Sequence, residues 1–570
     1  MKKRMGGRWR GAILLAALAT TLLAGCATPP LPWQAHSPTP LPDAQQVLHI
    51  AMPALGSPQV TLDPTAFPAN GSLEPLLIAL TYSTLVTLDA GSRPMPSLAA
   101  SYSVSADGLR YTFHLRPNTR FADGTPLTSA DVAFSLNRIV TDCASGYFWT
   151  PFAALKDVAR AANPQCPVIA LPPGQPRIAS LVGDALLTPD PQTLVIALAQ
   201  PDGALLTKLA MPVSSIVERA VVQRYGKQWT QHLADAGGQG TSGMYRLASS
   251  NEYAGGSALQ ITLERASHYW GAAPRLREVV FNLYPFDSLA TGDVIVDGGG
   301  GFSQEHVSGM AWHTEPVRAE ALLTLDPATP GLSDIRVREA LALAIDKSAL
   351  AKSMDGVATN HLVPPGIAGY PTTLSGPIAA APLAGDVAEA QALLRSYVAD
   401  TCGGVASACP HILVWDQGWT GGEPQMAPLF ARWKAALPGL PIIAVEPPDL
   451  LTALPVAAAQ PMVWNEDYPD PQDWLANVAL WSAEPYESVV HDVNADALVA
   501  SAEDTRDPGA RLALYHEAEE TVVNDAVVVP IAQLQMTWGV KPTVVNFPAN
   551  PAPTIAPAAW ARIYLTASAR

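Results

Sequence analysis

More than 500 residues follow position 46 of this 570-residue chain. None of their apolar segments reaches membrane-spanning length without a charge, a proline or a strong turn signal. A single hydrophobic core stops growing at about 250–300 residues. The body of the protein is therefore expected to be soluble and to fold into at least two lobes.

The first 25 residues are typical of an export signal. They carry five basic residues and no acidic one, and residues 11–25 form an apolar stretch. This stretch is shorter than the roughly 20 residues needed to span a bilayer. It leads into the motif Leu-Ala-Gly-Cys at residues 23–26, which resembles a bacterial lipobox. We predict a cleaved signal peptide over residues 1–25, with Cys26 acylated and holding the protein at the outer face of the cytoplasmic membrane. The alternative is an ordinary secretory signal with an incidental cysteine.

Residues 26–46 are predicted to be a tether. Six of the twenty residues after Cys26 are proline, and none fits an amphipathic period. A polyproline II segment of this length would reach roughly 60 Å. Simple disorder would serve the same purpose.

The charge of the mature chain excludes nucleic acid as a partner. Loss of the five basic residues of the leader changes the formal charge from −16 to −21. No block of basic residues remains, whereas phosphate binding needs clustered lysine and arginine.

The cysteines predict disulfides and no metal site. Acylation of Cys26 leaves four, with Cys143 near Cys166 and Cys402 near Cys409. An even number outside the cytoplasm indicates two local disulfides, Cys143–Cys166 and Cys402–Cys409, although four cysteines allow three pairings. The rival metal site would need close Cys or His ligands, and no CxxC or HxxxH motif occurs.

The order of predicted elements indicates an α/β fold. Apolar and polar residues alternate over residues 109–116, a turn follows at Asp123, and Thr128 stands three residues before Asp131 as a variant capping box. Strands are predicted around residues 259–263, 279–283 and 527–531. Helices are predicted after Ser333 or Asp334, and around residues 390–397 and 512–522.

Several blocks, taken in order, resemble the signature of the oligopeptide- and dipeptide-binding proteins, which are solute-binding protein family 5 of ABC importers. The blocks are residues 98–102, 107–117, 121–127, 131–132, 240–245, 269–271, 335–340, 344–347 and 467–471. The segment at residues 291–297 departs from the family's usual acidic pattern.

The resemblance implies a two-lobed, periplasmic-binding-protein-like fold of the class II type, with three domains and a ligand cleft between the lobes. Residues 47–80, 237–318 and 535–570 would form the core domain of lobe I, residues 81–236 its accessory domain, and residues 319–534 lobe II. A domain interface is also where a ligand cleft is physically expected.

The resemblance also implies a binding residue. Peptide-binding members hold the peptide amine with an aspartate just before the Asp-Pro segment, and Asp467 is the matching residue. An ammonium in a dehydrated cleft needs an opposite charge; a turn or cap role for Asp467 is the alternative. Aromatic residues could line the pocket, although core packing competes for each one. The candidates are Trp464, Tyr468, Trp415, Trp419 and Tyr82.

The function implied is peptide capture for an importer, with the ABC permease subunits as partners and a monomeric receptor. Related receptors take nickel complexes, haem, opines or oligosaccharides, and these stay open as ligands. A surface-anchored hydrolase, or a sensory or adhesive lipoprotein, are the alternatives of other classes. No GxSxG, HExxH or Walker motif occurs, so we expect neither catalysis nor a cofactor. Residues 238–243 match GxGxxG, but a strand-like run follows where a dinucleotide site needs a helix.

Overall fold

The structure is a computed structural model. It describes residues 39–53, 61–66, 73–142, 152–161, 174–235, 237–252, 259–284, 291–297, 307–367, 369–416, 426–445, 459–476, 492–548 and 557–567. The signal peptide, the lipidation site at Cys26, the predicted Cys143–Cys166 pair and Trp419 lie outside these residues.

Strands and helices are intermixed along the described chain. The strands are β1 (Val47–Pro53), β2 (Val86–Leu88), β3 (Pro94–Pro96), β4 (Ala99–Val104), β5 (Arg110–Leu115), β6 (Leu186–Asp190), β7 (Thr193–Ala197), β8 (Tyr245–Glu252), β9 (Leu259–Arg265), β10 (Glu278–Tyr284), β11 (Val294–Asp297), β12 (Ala311–Thr324), β13 (Val357–Ala358), β14 (Ile412–Trp415), β15 (Ile442–Val445), β16 (Gln460–Asn465), β17 (Val528–Val540), β18 (Val544–Val545) and β19 (Tyr564–Leu565). The α-helices are α1 (Glu74–Thr81), α2 (Ser129–Thr141), α3 (Val158–Ala161), α4 (Leu205–Lys208), α5 (Arg219–Tyr225), α6 (Ile335–Leu343), α7 (Lys347–Ser353), α8 (Val387–Thr401), α9 (Met426–Ala436), α10 (Pro471–Trp474), α11 (Val493–Asp504), α12 (Pro508–Asn524) and α13 (Pro557–Trp560).

A nine-stranded mixed sheet organises the fold. Its order is β16-β12-β17-β11-β1-β10-β9-β8, with β13 also paired to β17. Strand β1 runs parallel to β10 and β11, while β12, β16 and β17 pair antiparallel. A separate four-stranded antiparallel sheet has the order β4-β5-β7-β6. The α/β class predicted from the sequence is confirmed.

Two hydrophobic cores lie on this framework. The first contains buried residues between Leu48 and Val296, together with Tyr468 and residues from Trp538 to Leu565. The second contains buried residues between Ala321 and Ala532. Both predicted parts of lobe I contribute to the first core, so their separation into two domains stays a prediction.

Local sequence signals correspond to the elements formed. The alternating residues of β5 bury Tyr111, Phe113 and Leu115. Helix α2 begins after Thr128, whose backbone N–H donates to the Asp131 carboxylate at 3.0 Å, as the capping box predicts. Asp334 rather than Ser333 caps α6. These positions carry strong local preferences that tertiary packing has no reason to override.

The folded body begins earlier than residue 47, so the predicted tether is too long. Leu41 N–H donates to the Leu565 carbonyl at 2.8 Å. The buried Gln46 side chain donates to the same carbonyl at 3.0 Å and accepts from Leu565 N–H at 2.8 Å. These bonds hold residues 40–46 against β19. Proline content alone gave no sign of them.

The glycine-rich run at residues 238–243 is a turn that leads into β8. Gly238 and Gly240 have φ values of +83° and +88°. At Gly243 a Cβ atom would stand 2.4 Å from the carbonyl carbon of Thr81, so only glycine fits against the end of α1. A strand follows the run, which supports setting aside a dinucleotide site.

The second core also contains a disulfide. Cys402 and Cys409 are bonded, with Cα atoms 5.0 Å apart, and the bond closes the loop after α8. No α-helix in the described ranges combines the length and apolar character needed to cross a bilayer.

Candidate site between the two cores

The segment after β16 passes between the two cores. Tyr468 packs in the first core, whereas Trp474 and Leu475 pack in the second. Strand β17 contributes residues to both cores, with residues 528–532 in the second and Trp538 and Val540 in the first, and β12 lies between β17 and β16 in the sheet. Residues 466–473 therefore lie between the two cores, where a two-lobed protein is expected to have its ligand cleft and the segments that join its lobes.

Three carboxyl groups cluster in this segment. The Asp473 side chain accepts from the backbone N–H of Asp467 at 2.9 Å and from the indole N–H of Trp464 at 3.4 Å. The Glu466 Oε1 atom accepts from Arg318 at 2.9 Å, and its buried Oε2 has no hydrogen-bond partner among the described residues. One guanidinium thus stands beside three acids.

Asp467 is the least compensated member of the cluster. It is half-buried, and no cation among the described residues forms an ion pair with its carboxylate. Desolvation and the charge of Glu466 raise the pKa of Asp467 to about 7. Burial raises the pKa of Glu466 to about 7 as well, against the opposing effect of Arg318. The pKa of Asp473 lies well above its usual range, because it is fully buried beside Asp467.

A cationic group is the chemistry that this cluster would favour. A buried carboxylate without a partner is destabilised in its charged form, and an opposite charge within about 4–6 Å reverses that effect. Charge-assisted hydrogen bonds are roughly twice as strong as neutral ones.

Nearby charges are instead paired within the protein. Arg511 holds Asp470 with two bonds of 2.9 and 2.7 Å, and Asp470 also caps α10. Lys208 pairs with Asp202 at 2.8 Å and lies over the ring of Tyr468, 5.3 Å from its centre. These pairs neutralise the charges that flank the cluster, so Asp470 has a structural role.

The predicted aromatic residues fall into two groups. Trp464 is half-buried next to Asp473, and Trp415 is the last residue of β14, with a buried indole N–H that has no partner among the described residues. Tyr82 is 2% exposed, packs on Trp229 and donates its hydroxyl to the Leu62 carbonyl at 3.0 Å. Tyr468 is also 2% exposed. Both tyrosines therefore offer almost no surface to a ligand and serve the first core.

Sequence reasoning missed Arg318 and Glu320. Glu320 on β12 is fully buried, and neither of its carboxylate oxygens has a hydrogen-bond partner in the part of the chain that the structure describes. Its pKa is raised well above the usual range by burial and by the charge of Glu519. The available signal was a charged residue inside the apolar run of residues 319–325.

A cavity of about 250 Å³ lies beside β13 and β17. Its lining includes Val357, His361, Gly366, Tyr370 and Gln533. Arg318 connects it to the carboxyl cluster, since the same guanidinium bonds to Glu466 and to the Gly366 carbonyl, the latter at 3.4 Å. Arg318 also donates to the Ser92 hydroxyl in the turn between β2 and β3.

A two-lobed α/β body with an uncompensated polar site between its cores defines the class of extracellular binding proteins. The family model for bacterial extracellular solute-binding proteins, family 5, matches residues 93–432. The chain belongs to this family.

Named relatives are distant. The chain is 24% identical to a probable deoxycholate-binding periplasmic protein, YgiS of Escherichia coli K12, over 86% of this chain and 88% of that protein. It is 27% identical to the glutathione-binding protein GsiB of Escherichia coli O1:K1, over 63% of this chain and 61% of GsiB. It is 26% identical to the periplasmic oligopeptide-binding protein OppA of Escherichia coli K12, over 48% of each chain. The matches to GsiB and OppA thus span about half to three-fifths of those relatives.

Solved structures share the fold. The unliganded open form of the murein tripeptide-binding protein MppA matches with a TM-score of 0.71 and 22% identity, over 93% of this chain and 99% of MppA. HbpA2 from Haemophilus parasuis matches with a TM-score of 0.70 and 19% identity, over 91% of this chain and all of HbpA2. At these identities the likeness establishes the two-lobed fold alone.

Proposed function

We propose that this protein is the lipid-anchored, extracytoplasmic solute-binding component of an ABC importer, and that it captures peptides between its lobes. Asp467 would hold the peptide amine, and the permease would receive the peptide after the lobes close. The proposal depends on the position of the Asp467 carboxylate. It lies between the two cores, and no cation among the described residues forms an ion pair with it.

The relatives support a peptide or peptide-like ligand. GsiB is named for glutathione, OppA for oligopeptides and MppA for a murein tripeptide. A further structural neighbour is Haemophilus influenzae OppA in complex with the peptide RPPGFSPFR. Each of these ligands is a peptide or is built like one, and a free amine would complete the cluster at Asp467 electrostatically.

Deoxycholate is the second candidate, because YgiS matches over most of this chain. Deoxycholate is an anion, and the described cluster holds Glu466, Asp467 and Asp473 against the single cation Arg318. An anion placed there would meet uncompensated negative charge and pay a desolvation cost as well. The electrostatics therefore favour the amine-bearing ligand.

A matched peptide pair tests the proposal. The purified full chain is titrated with Ala-Ala-Ala, with N-acetyl-Ala-Ala-Ala and with deoxycholate, while tryptophan fluorescence and melting temperature are followed. We expect the free tripeptide to change both readings and the acetylated one to bind at least tenfold more weakly. Equal binding of the two tripeptides, or binding of deoxycholate alone, would rule out the proposed amine site at Asp467.

Mass spectrometry of ligand that co-purifies with the protein gives an independent answer. A ligand with a free primary amine supports the proposal, while a nickel complex, haem, opine or oligosaccharide indicates a receptor of the same family with another ligand.

Lipid anchoring has its own test, since Cys26→Ser should release the protein from the membrane fraction.

A further inference from the structure

A loop of the first core contacts a helix of the second core. Residues 201–204 lie between β7 and α4, where Ala204 and Leu205 are buried in the first core. Helix α12 is buried in the second core through residues such as Tyr515 and Ala518. Contacts between residues 201–204 and α12 therefore join the two cores.

Arg511 of α12 comes unusually close to the backbone of Gly203. A Cβ atom at position 203 would stand 2.7 Å from Nε and 2.8 Å from Cδ of Arg511, and Cβ atoms do not approach other atoms so closely. Gly203 does not belong to the described residues that have a positive φ, so its backbone would accept alanine. Glycine is therefore required at position 203 because of the approach of Arg511 alone.

The Arg511 side chain is not free to move aside. Its guanidinium donates to the Asp470 carboxylate at 2.9 and 2.7 Å and lies over the Tyr515 ring, 4.8 Å from its centre. The side chain is only 7% exposed. Breaking a buried ion pair strongly destabilises a protein, because it leaves an uncompensated charge. A side chain at position 203 would therefore push residues 201–204 away from α12 and leave the guanidinium in place.

Arg506 makes a second contact across the same boundary. Its guanidinium donates to the carbonyl of Ala106, in the turn between β4 and β5, at 3.1 Å. A Cβ atom at Gly108 in that turn would stand 3.6 Å from Pro201, so the turn and residues 201–204 lie side by side. Arg506 is exposed, whereas Arg511 is buried. The two arginines thus contact one continuous surface formed by loops of the first core.

One polar group in this contact is left without a partner. The Arg511 Nε atom next to Gly203 is buried and has no hydrogen-bond partner among the described residues. Separation of residues 201–204 from α12 would open this N–H to water, which would satisfy it. Close packing and the Arg506 hydrogen bond favour the contact, whereas the unsatisfied donor opposes it. Opposing contributions of similar size allow a contact to form and to separate reversibly.

We propose that this contact is a latch between the lobes, formed by residues 105–108 and 201–204 on one side and by Arg506 and Arg511 on the other. The latch holds the two cores in the arrangement that binds ligand. It raises ligand affinity without touching the ligand, because the apparent affinity scales with the fraction of protein in the binding arrangement. Its effect on affinity rests on the proposed function, whereas its effect on the shape of the protein depends only on the two-lobed fold.

A single methyl group at position 203 tests the latch. Gly203→Ala places a Cβ atom against Arg511 and should separate the cores, so the purified full chain should have a larger radius of gyration than wild type in small-angle X-ray scattering. Its affinity for Ala-Ala-Ala in calorimetry should fall at least tenfold, because less of the protein is in the binding arrangement. Wild-type values of both quantities in Gly203→Ala would overturn the proposal.

Gly509→Ala is the matched control. Gly509 is exposed at the start of the same helix, and a Cβ atom there would come no closer than 3.4 Å to Asp507. This variant adds the same methyl group without a clash, so it should keep the wild-type radius of gyration and affinity. Equal changes in Gly509→Ala and Gly203→Ala would contradict the latch.

A second variant keeps the test valid if Gly203→Ala fails to fold. Arg506→Gln removes the hydrogen bond to Ala106 from an exposed position and should weaken Ala-Ala-Ala roughly twofold to tenfold. Arg395→Gln, at an exposed position on α8, removes the same charge elsewhere and should keep the wild-type affinity. Equal affinities of these two variants would overturn the latch. If wild-type protein does not bind Ala-Ala-Ala, the proposed function fails, whereas the scattering comparison still decides on the latch.

Discussion

Two sets of carboxylates, which come within three positions of each other at Asp467 and Asp470, differ in their partners. Asp470 and Asp202 are held by Arg511 and Lys208 at ion-pair distance. Asp467 and Glu320 have no cation among the described residues. Breaking a buried ion pair destabilises the protein, but the presence of the pair does not indicate a function. Uncompensated buried acids make folding less favourable, so their presence between two lobes points to a partner that arrives later.

Breaking the paired set should have the largest effect. Arg511→Met leaves the buried Asp470 without its two bonds, and we expect a loss of about 3–5 kcal/mol in the free energy of unfolding by urea denaturation. Arg93→Met is the matched control, because its pair with Asp89 is exposed and should change the free energy of unfolding far less. Similar losses in the two variants would contradict the contrast.

Asp467→Asn should act on binding and not on folding. We expect affinity for a free-amine tripeptide to fall by about 2–5 kcal/mol, since the ligand ammonium loses its counter-charge. The free energy of unfolding should stay equal or rise, because an uncompensated acid is removed. Asp504→Asn, at an exposed position, is the control for both calorimetry and denaturation. Unchanged affinity would exclude Asp467 from the site.

The pH dependence follows from the raised pKa of Asp467, about 7 against an ordinary value of 3.8. Between these values the folded protein binds a proton that the unfolded chain releases, so this group's contribution to stability is lost as pH rises towards 7. Amine affinity has the opposite sign. It should rise by up to roughly tenfold per pH unit below 7, because the ligand needs the ionised carboxylate, and fall again near pH 8, because the peptide α-amino group loses its proton with a pKa of about 7.7–8.0. Affinities measured at pH 5, 6, 7 and 8 would show this, and a flat profile would contradict it.

The smallest effect is expected at Glu466, which is intermediate between the two sets because Arg318 satisfies only one of its oxygens. Glu466→Gln keeps an acceptor for Arg318 and should change stability by only about 1 kcal/mol. Its charge contributes to the raised pKa of Asp467, so the midpoint of the affinity profile should move to lower pH. The same titration measures this shift, and an unmoved midpoint would refute the coupling.

The sequence predicted the α/β order, the cap of α2 and the family, because these depend on residues close together in the chain. It also indicated Asp467 through a motif, but not the burial and the neighbouring acid that raise its pKa. Arg318 lies 148 positions from Glu466, so their contact depends on the pairing of β12 with β16. For Tyr82 the sequence could not separate a pocket wall from the core, since both uses select an aromatic ring with a polar end.

Strands β12 and β17 pair with each other from Ala311 to Thr324, apart from register shifts between Pro316 and Glu320 and between Ala321 and Leu322. Any rocking of one lobe against the other must flex this ribbon, and an irregular ladder is where a strand bends most readily. Arg318 sits inside that irregular stretch while gripping Glu466 and Gly366. Lobe motion would therefore shift the guanidinium, and with it the hydrogen bond to Glu466 that offsets part of the negative charge of the cluster.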